Sequence, residues 1–305
     1  MFPKISDLVN SLLGTHIHLP FQTYGFMLAM AFVGGGLVMR SELKRKEKEG
    51  LLLPVGDKPT HPYEFTWSIL IVALVAAIVG SKVFDILDNF GSFIRHPWHT
   101  LFSFNGFAFY GGLIATVLAL IFYMRLIRLD WKQVIDCTAP AIMLGYAIGR
   151  LGCHLAGDGC WGIPNLMPQP QWLSWLPDWT WACTYPHNVI NSGNLIPGCQ
   201  GQHCMALAVP VFPTSLYESA MSAALFGILW ALRKRFPAPV MLFGLFLILY
   251  GAERLLIEQI RINHKYALLG LHVTQAEIIS VIIILTGILA MVFFYFRYKR
   301  PSKLL

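Results

Sequence analysis

Seven stretches of the chain, near residues 19–39, 65–87, 106–126, 133–152, 211–232, 239–257 and 273–296, stay apolar over the roughly 20 residues that a helix needs to cross the hydrocarbon of a bilayer. The pattern predicts an all-α polytopic membrane protein with seven transmembrane helices. Most polar stretches between them are short. The exception is 153–210, rich in Pro, Gly, Asn and Trp, which reads as a cap inserted between helices four and five. Neither an internal repeat nor a low-complexity tract is visible, so 1–305 reads as a single membrane-embedded domain carrying that cap.

Basic residues set the orientation. Arg40, Lys44, Arg45, Lys46, Lys48 and Lys58 follow the first stretch; Arg125, Arg128 and Lys132 follow the third; Arg233, Lys234 and Arg235 the fifth; Arg297, Lys299, Arg300 and Lys303 the last. These sixteen of the 23 Lys and Arg fall on one side of a seven-span arrangement, and the positive-inside bias makes that side cytoplasmic. The N-terminus is then outside, the C-terminus inside and the cap extracytoplasmic. The composition, 56% hydrophobic and 13% charged, agrees with a membrane protein. The net charge of +7 lies in short loops where topology requires it, which argues against nucleic-acid binding. No charged, short-apolar, small-residue leader opens the chain, so no removable signal peptide is expected.

Two readings of the cap tryptophans, Trp172, Trp175, Trp179 and Trp181, stay open: indoles lying in the headgroup layer, or the core of a small folded cap. Of the six cysteines, Cys137 falls in the fourth span and reads as packing. Cys153, Cys160, Cys183, Cys199 and Cys204 fall in the cap, where at most two disulfides are possible and the connectivity is unreadable. Cys199, His203 and Cys204 lack a usual zinc spacing, and no metal site is expected.

With this topology, Tyr24, Tyr110 and Glu218 sit in the first turns of outside-to-inside helices, and Lys82, Arg150, Arg254 and Glu258 in the last turns of the others. The ionisable residues of the spans therefore gather in one outer layer. Local pairs offer a plainer reading for some: Arg254 with Glu258 four residues on, and Lys82 with Asp85. Two arginines on different helices ask for more, since a charge near the bilayer centre costs at least ~2.5–3.5 kcal/mol. Guanidinium groups bind phosphate through paired hydrogen bonds, so an anionic lipid headgroup is the expected ligand. Gly106, Gly111 and Gly112 around Tyr110, and Gly145, Gly149 and Gly152 around Arg150, either allow close helix contact or leave room for a lipid.

Five motifs then carry a resemblance: Tyr24-Gly25; Phe109-Tyr-Gly-Gly-Leu-Ile114; Gly149-Arg-Leu-Gly152 continuing to Gly157-Asp158 and Trp161-Gly162; Pro213-Thr-Ser-Leu-Tyr-Glu218; and Tyr250-Gly-Ala-Glu-Arg254 with Glu258 and Arg261. Together they resemble the prolipoprotein diacylglyceryl transferases of bacterial inner membranes. The resemblance implies a multi-pass transferase with its site toward the outer leaflet. It would move the diacylglyceryl group of phosphatidylglycerol to the lipobox cysteine of a prolipoprotein signal peptide, forming a thioether and releasing glycerol phosphate. Arg150 and Arg254 would correspond to the family's essential arginines, and Tyr24, Asp158, Glu218, Tyr250, Glu258 and Arg261 would line the headgroup site. The chain departs from the family pattern at Tyr110 and Phe212, where histidines are usual, at Cys153 and Ala156, where asparagines are, and at Asp158, where a glutamate is; one extra residue precedes Trp161. For the proton of the attacking thiol, His154 ranks ahead of Tyr110 and of unaided ionisation in the arginines' field. No cofactor is expected beyond the lipid donor, and the chain reads as a monomer. The rival readings are a lipid transporter or scramblase using the same cationic chamber, and an enzyme of the same fold with a different acceptor.

Overall fold

A computed structural model of the protein describes residues 1–17, 19–56, 59–102, 108–236, 238–263, 265–268 and 271–299. Lys58, Gly106, Arg300 and Lys303, named above, lie outside the described residues. The chain is mostly helical, and each of the seven apolar stretches falls on a helix: α2 (Thr23–Lys48), α3 (Thr66–Asp88), α6 (Phe109–Leu126), α7 (Trp131–Ala156), α8 (Thr214–Leu232), α9 (Met241–Glu258) and α10 (Gln275–Lys299). Among the described residues, five helical segments are long and apolar enough to cross a membrane: α2, α7, α8, α10, and α3 with the 3₁₀ turn before it, Pro62–Asp88. The apolar run of α6, Tyr110–Leu126, is shorter. The 18-residue α9 carries Glu253, Arg254 and Glu258 in its last turns. Helix α2 outruns its apolar stretch because good helix formers (Glu, Leu, Lys and Arg) continue it to Lys48. Short helices α1 (Ile5–Leu13), α4 (Phe90–Arg95) and α5 (Pro97–Phe102) and two small antiparallel hairpins complete the described elements.

The chain divides into two compact units. In the first, Gly36–Cys137, α3 and α6 pack along each other. A methyl group at Gly111 would collide with Phe84, and one at Gly112 with the Ser81 hydroxyl, so these two glycines serve close helix contact. Lys82 stands 3.8 Å from Asp85 on its own helix. At the charged end of α2, the buried Lys46 donates to the Gln133 side-chain oxygen (2.8 Å) and lies 3.4 Å from Asp136.

The second unit joins Met1–Gly35 to Thr138–Leu305. Ala139 and Met143 of α7 pack with Leu229 of α8 and with Leu242 and Phe246 of α9 to form its core. Ser219 donates to the Ala147 carbonyl oxygen (2.8 Å), which ties α8 to α7 beside the residues of interest. Helix α10 covers α9 and turns Ile278, Val281, Ile282, Leu285, Leu289 and Phe293 outward. A helix apolar on both its packed and its outward face belongs in lipid. The hairpin β3–β4 (Lys265–Leu268 with Leu271–Thr274) links α9 to α10.

The cap is loop and 3₁₀ turn, held by β1–β2 (Asn194–Leu195 with Met205–Ala206) and by a disulfide between Cys199 and Cys204. The other four cysteines are free thiols. Its tryptophans divide between the two readings. Trp172 and Trp175 are 73% and 78% exposed, whereas Trp181 donates to the Met167 carbonyl oxygen (3.0 Å) and packs edge-on against Phe212.

Candidate active site

Helix α7 delivers Arg150 in its penultimate turn. The helix ends where Gly157 adopts φ 66°, a left-handed conformation that costs glycine nothing, while its amide donates back to the Cys153 carbonyl oxygen (3.0 Å). One turn before Arg150, Tyr146 lies on the same face and sets its ring 5.1 Å from the guanidinium carbon. Tyr250 of α9 meets Tyr146 edge-on at 5.6 Å, so two aromatic walls flank the cation.

At the centre stands Glu218 of α8, 1% exposed. Its Oε2 takes the Nε donor of Arg150 and the Tyr146 hydroxyl (2.7 Å). Its Oε1 lies 3.3 Å from Arg261 and 3.6 Å from Arg254. Among the described residues, three guanidinium groups from α7, α9 and the segment after α9 therefore converge on one carboxylate. They retain 16%, 17% and 19% exposure at Arg150, Arg254 and Arg261. A guanidinium has five N–H donors, more than one carboxylate can take. Among the described residues, the buried Nη1 of Arg254 has no hydrogen-bond partner. Arg254 reaches toward Glu218 and leaves Glu258 to accept from Asn263 (2.6 Å), so the local Arg254–Glu258 pair is not what neutralises it.

The cap fixes Arg261. The Gly162 amide donates to the Phe212 carbonyl oxygen (2.9 Å) and the Ile163 amide to that of Ile260 (2.9 Å), stitching the Trp161-Gly162 motif between α8 and the end of α9. A methyl group at Gly162 would collide with the Ile260 carbonyl oxygen. Gly162→Ala is expected to cost about 1–3 kcal/mol, in the range of overpacked interiors, and to lower the melting temperature in detergent. A larger loss of activity than of stability would show that Arg261 has been displaced.

The remaining expected residues fall in four places. Tyr24, in the first turn of α2, is exposed and within electrostatic range of Arg150, Cys153, Asp158 and Cys160. Asp158 accepts from the Cys160 amide (3.1 Å) beside the Cys153 and Cys160 thiols. His154 is buried under the cap, 3.1 Å from the Tyr185 hydroxyl and stacked on Trp179. Burial pushes the Tyr185 phenol above its ordinary range, so it stays protonated beside that imidazole. Tyr110, at the start of α6, belongs to the other unit. Around Arg150 the glycines divide: a methyl group at Gly152 would lie 2.7 Å from Met27 Cβ, whereas one at Gly149 would meet nothing within 4 Å. Gly152 serves helix contact and Gly149 leaves open space beside the cation.

Two residues were not singled out from the sequence. Tyr146 could have been found from its position four before Arg150. Glu253 sits inside the Tyr250–Arg254 motif, buried, with both carboxylate oxygens lacking a hydrogen-bond partner among the described residues, in electrostatic range of Arg150, Arg254, Arg261 and Glu218. An inward-facing glutamate beside Arg254 was the available signal.

Chemically, the arrangement offers fixed cationic donors around a buried carboxylate and an open position at Gly149, which suits an anion that gains charge as it departs. Chains of this kind are known from several bacteria. A protein of Leptospira interrogans is 26% identical, with 92% of this chain and 90% of the relative covered. Those of Sodalis glossinidius and Yersinia enterocolitica are each 27% identical, over 98% and 99% of this chain and 96% and 97% of theirs. All three carry the name phosphatidylglycerol–prolipoprotein diacylglyceryl transferase. The sequence pattern of the family described as prolipoprotein diacylglyceryl transferase runs through residues 13–293, from ahead of α2 almost to the end of α10, and so takes in every motif that builds the arginine cluster: the chain belongs to the prolipoprotein diacylglyceryl transferase family.

Proposed function

We propose that this protein transfers the diacylglyceryl group of phosphatidylglycerol to the thiol of the lipobox cysteine in prolipoprotein signal peptides, making a thioether and releasing glycerol phosphate. The observation that carries this reading is the convergence of Arg150, Arg254 and Arg261 on Glu218. Family membership and the names of the relatives support it independently.

The reaction is attack by sulfur on a glycerol carbon with departure of a phosphate monoester. The thiol must lose its proton, because the thiolate is the nucleophile. The departing oxygen gains charge, and Arg150 and Arg254 are the donors aimed at it. Fixed cations in a water-poor site stabilise developing charge without reorganising. Glu218 does not react in this scheme; it holds the three guanidinium groups in register. Tyr146 and Tyr250 flank Arg150 and exclude water from one side.

The setting follows from the charge distribution. All seven apolar helices span the bacterial inner membrane, with the N-terminus and cap outside and the site toward the outer leaflet. The protein acts as a monomer, and the signal peptide enters between helices on the outer side.

Purified protein given phosphatidylglycerol and a lipobox cysteine peptide should yield, by mass spectrometry, a peptide heavier by one diacylglyceryl group and lacking a free thiol. The same peptide with serine should stay unmodified. Lipid flipping in vesicles without any thioether would replace this reading by that of a transporter.

A further inference from the structure

The turn that closes α7 carries three donors that the arginine cluster does not use. Cys153 is buried in the last turn of the helix. Beyond it, Gly157 (φ 66°) and Gly159 (φ 93°) reverse the chain, so that Asp158 and Cys160 come back over Cys153. Both sulfurs and a carboxylate oxygen of Asp158 lie within 4.8 Å of one another. The Cys160 amide donates to Asp158 Oδ1 (3.1 Å), which fixes the carboxylate, and Thr214 of α8 donates to the Cys160 carbonyl oxygen (3.0 Å), which fixes the turn.

Zinc-class ions take sulfur at about 2.3 Å and carboxylate oxygen at about 2.0–2.2 Å in a tetrahedron, so their ligand atoms stand about 3.5–3.8 Å apart. Three donors already inside 4.8 Å need little movement to reach that spacing. Two thiolates and one carboxylate around a dication leave one net negative charge. Arg150, in electrostatic range of both sulfurs, balances it. Three protein ligands with a fourth position open is the composition of a catalytic rather than a structural site.

We propose that Cys153, Asp158 and Cys160 hold a zinc-class dication whose open position takes the thiol to be alkylated. The proposal rests on the transferase reading above and names how its nucleophile is made. A thiol that coordinates such an ion is deprotonated outright, its proton passing to water. One electron pair of that sulfur then forms the bond to the glycerol carbon. The carbon–oxygen bond breaks with its pair going to the phosphate ester held by the arginines, and the neutral thioether, a poorer ligand, leaves. No oxidant or reductant is needed.

Cobalt(II) reads the site without reference to activity. Reduced, detergent-purified protein should bind one equivalent of cobalt with sulfur-to-metal charge-transfer absorption, lost in Cys153→Ser and in Cys160→Ser. Adding the lipobox cysteine peptide should raise that absorption, and the serine peptide should not. Arg150→Ala should keep the cobalt spectrum while losing thioether formation. In wild-type protein, where no variant can misfold, a chelator should abolish thioether formation and added zinc restore it. The proposal is overturned by a Cys153–Cys160 disulfide in the purified protein, by cobalt absorption unchanged in both serine variants, by absorption blind to the peptide, or by full transfer in chelator. The last result would leave the transferase reading standing, whereas a normal cobalt response without any thioether would remove that reading and leave a metal site that binds the thiol without alkylating it.

Discussion

Arg150→Lys lowers the rate of thioether formation at saturating phosphatidylglycerol by about 10²–10³-fold, the cost of removing one preorganised donor from a developing anion. Lysine keeps the charge, so the loss isolates geometry. The Nε donor of Arg150 is taken by Glu218, and a guanidinium carries four further N–H donors that a phosphate can engage. An ammonium is a point charge on a flexible stem; it cannot hold Glu218 and two phosphate oxygens at once. Because the donors matter most as charge builds on the leaving group, the turnover rate should fall more than lipid affinity. Single-turnover kinetics on the peptide separates the two. A variant that needs more lipid but reaches the wild-type rate would make Arg150 a binding residue only.

Glu218→Gln is expected to be as damaging by a different route. The substitution keeps shape and an acceptor oxygen but removes the negative charge on which Arg150, Arg254 and Arg261 converge. Breaking a buried ion pair from one side costs about 3–5 kcal/mol, because the partner charges stay buried without compensation. Three guanidinium groups would then face one another with Glu253 in electrostatic range, a carboxylate that makes no hydrogen bond among the described residues. The variant should melt well below the wild type and make no thioether, and an anionic lipid should recover part of the melting temperature by replacing the missing charge. Wild-type stability without lipid would show that Glu218 is not the hub.

Much of this was legible in the sequence because the bilayer imposes simple rules. The seven apolar stretches, each of which falls on a helix, follow from length and hydropathy alone. The arrangement of the charges did not. From spacing, Arg254 and Glu258 look like partners on one helix, yet Arg254 reaches Glu218 on α8 and Glu258 takes Asn263. Helical period fixes which residues share a face, but not which face meets a neighbouring helix. The same limit hid Tyr146 and Glu253, and it hid the meeting of Cys153 with Cys160, which depends on two left-handed glycines between them. His154 shares a helix with Arg150, but what its ring touches is set by the cap, through Tyr185 and Trp179, whose fold no local pattern announces.

The most direct measurement is a structure of the protein with phosphatidylglycerol bound. The account predicts phosphate oxygens within about 2.7–2.9 Å of N–H groups of both Arg150 and Arg254, the range of charge-assisted hydrogen bonds, with Glu218 still holding the far side of each guanidinium. A headgroup bound elsewhere, with the three arginines engaged by Glu218 alone, would contradict it.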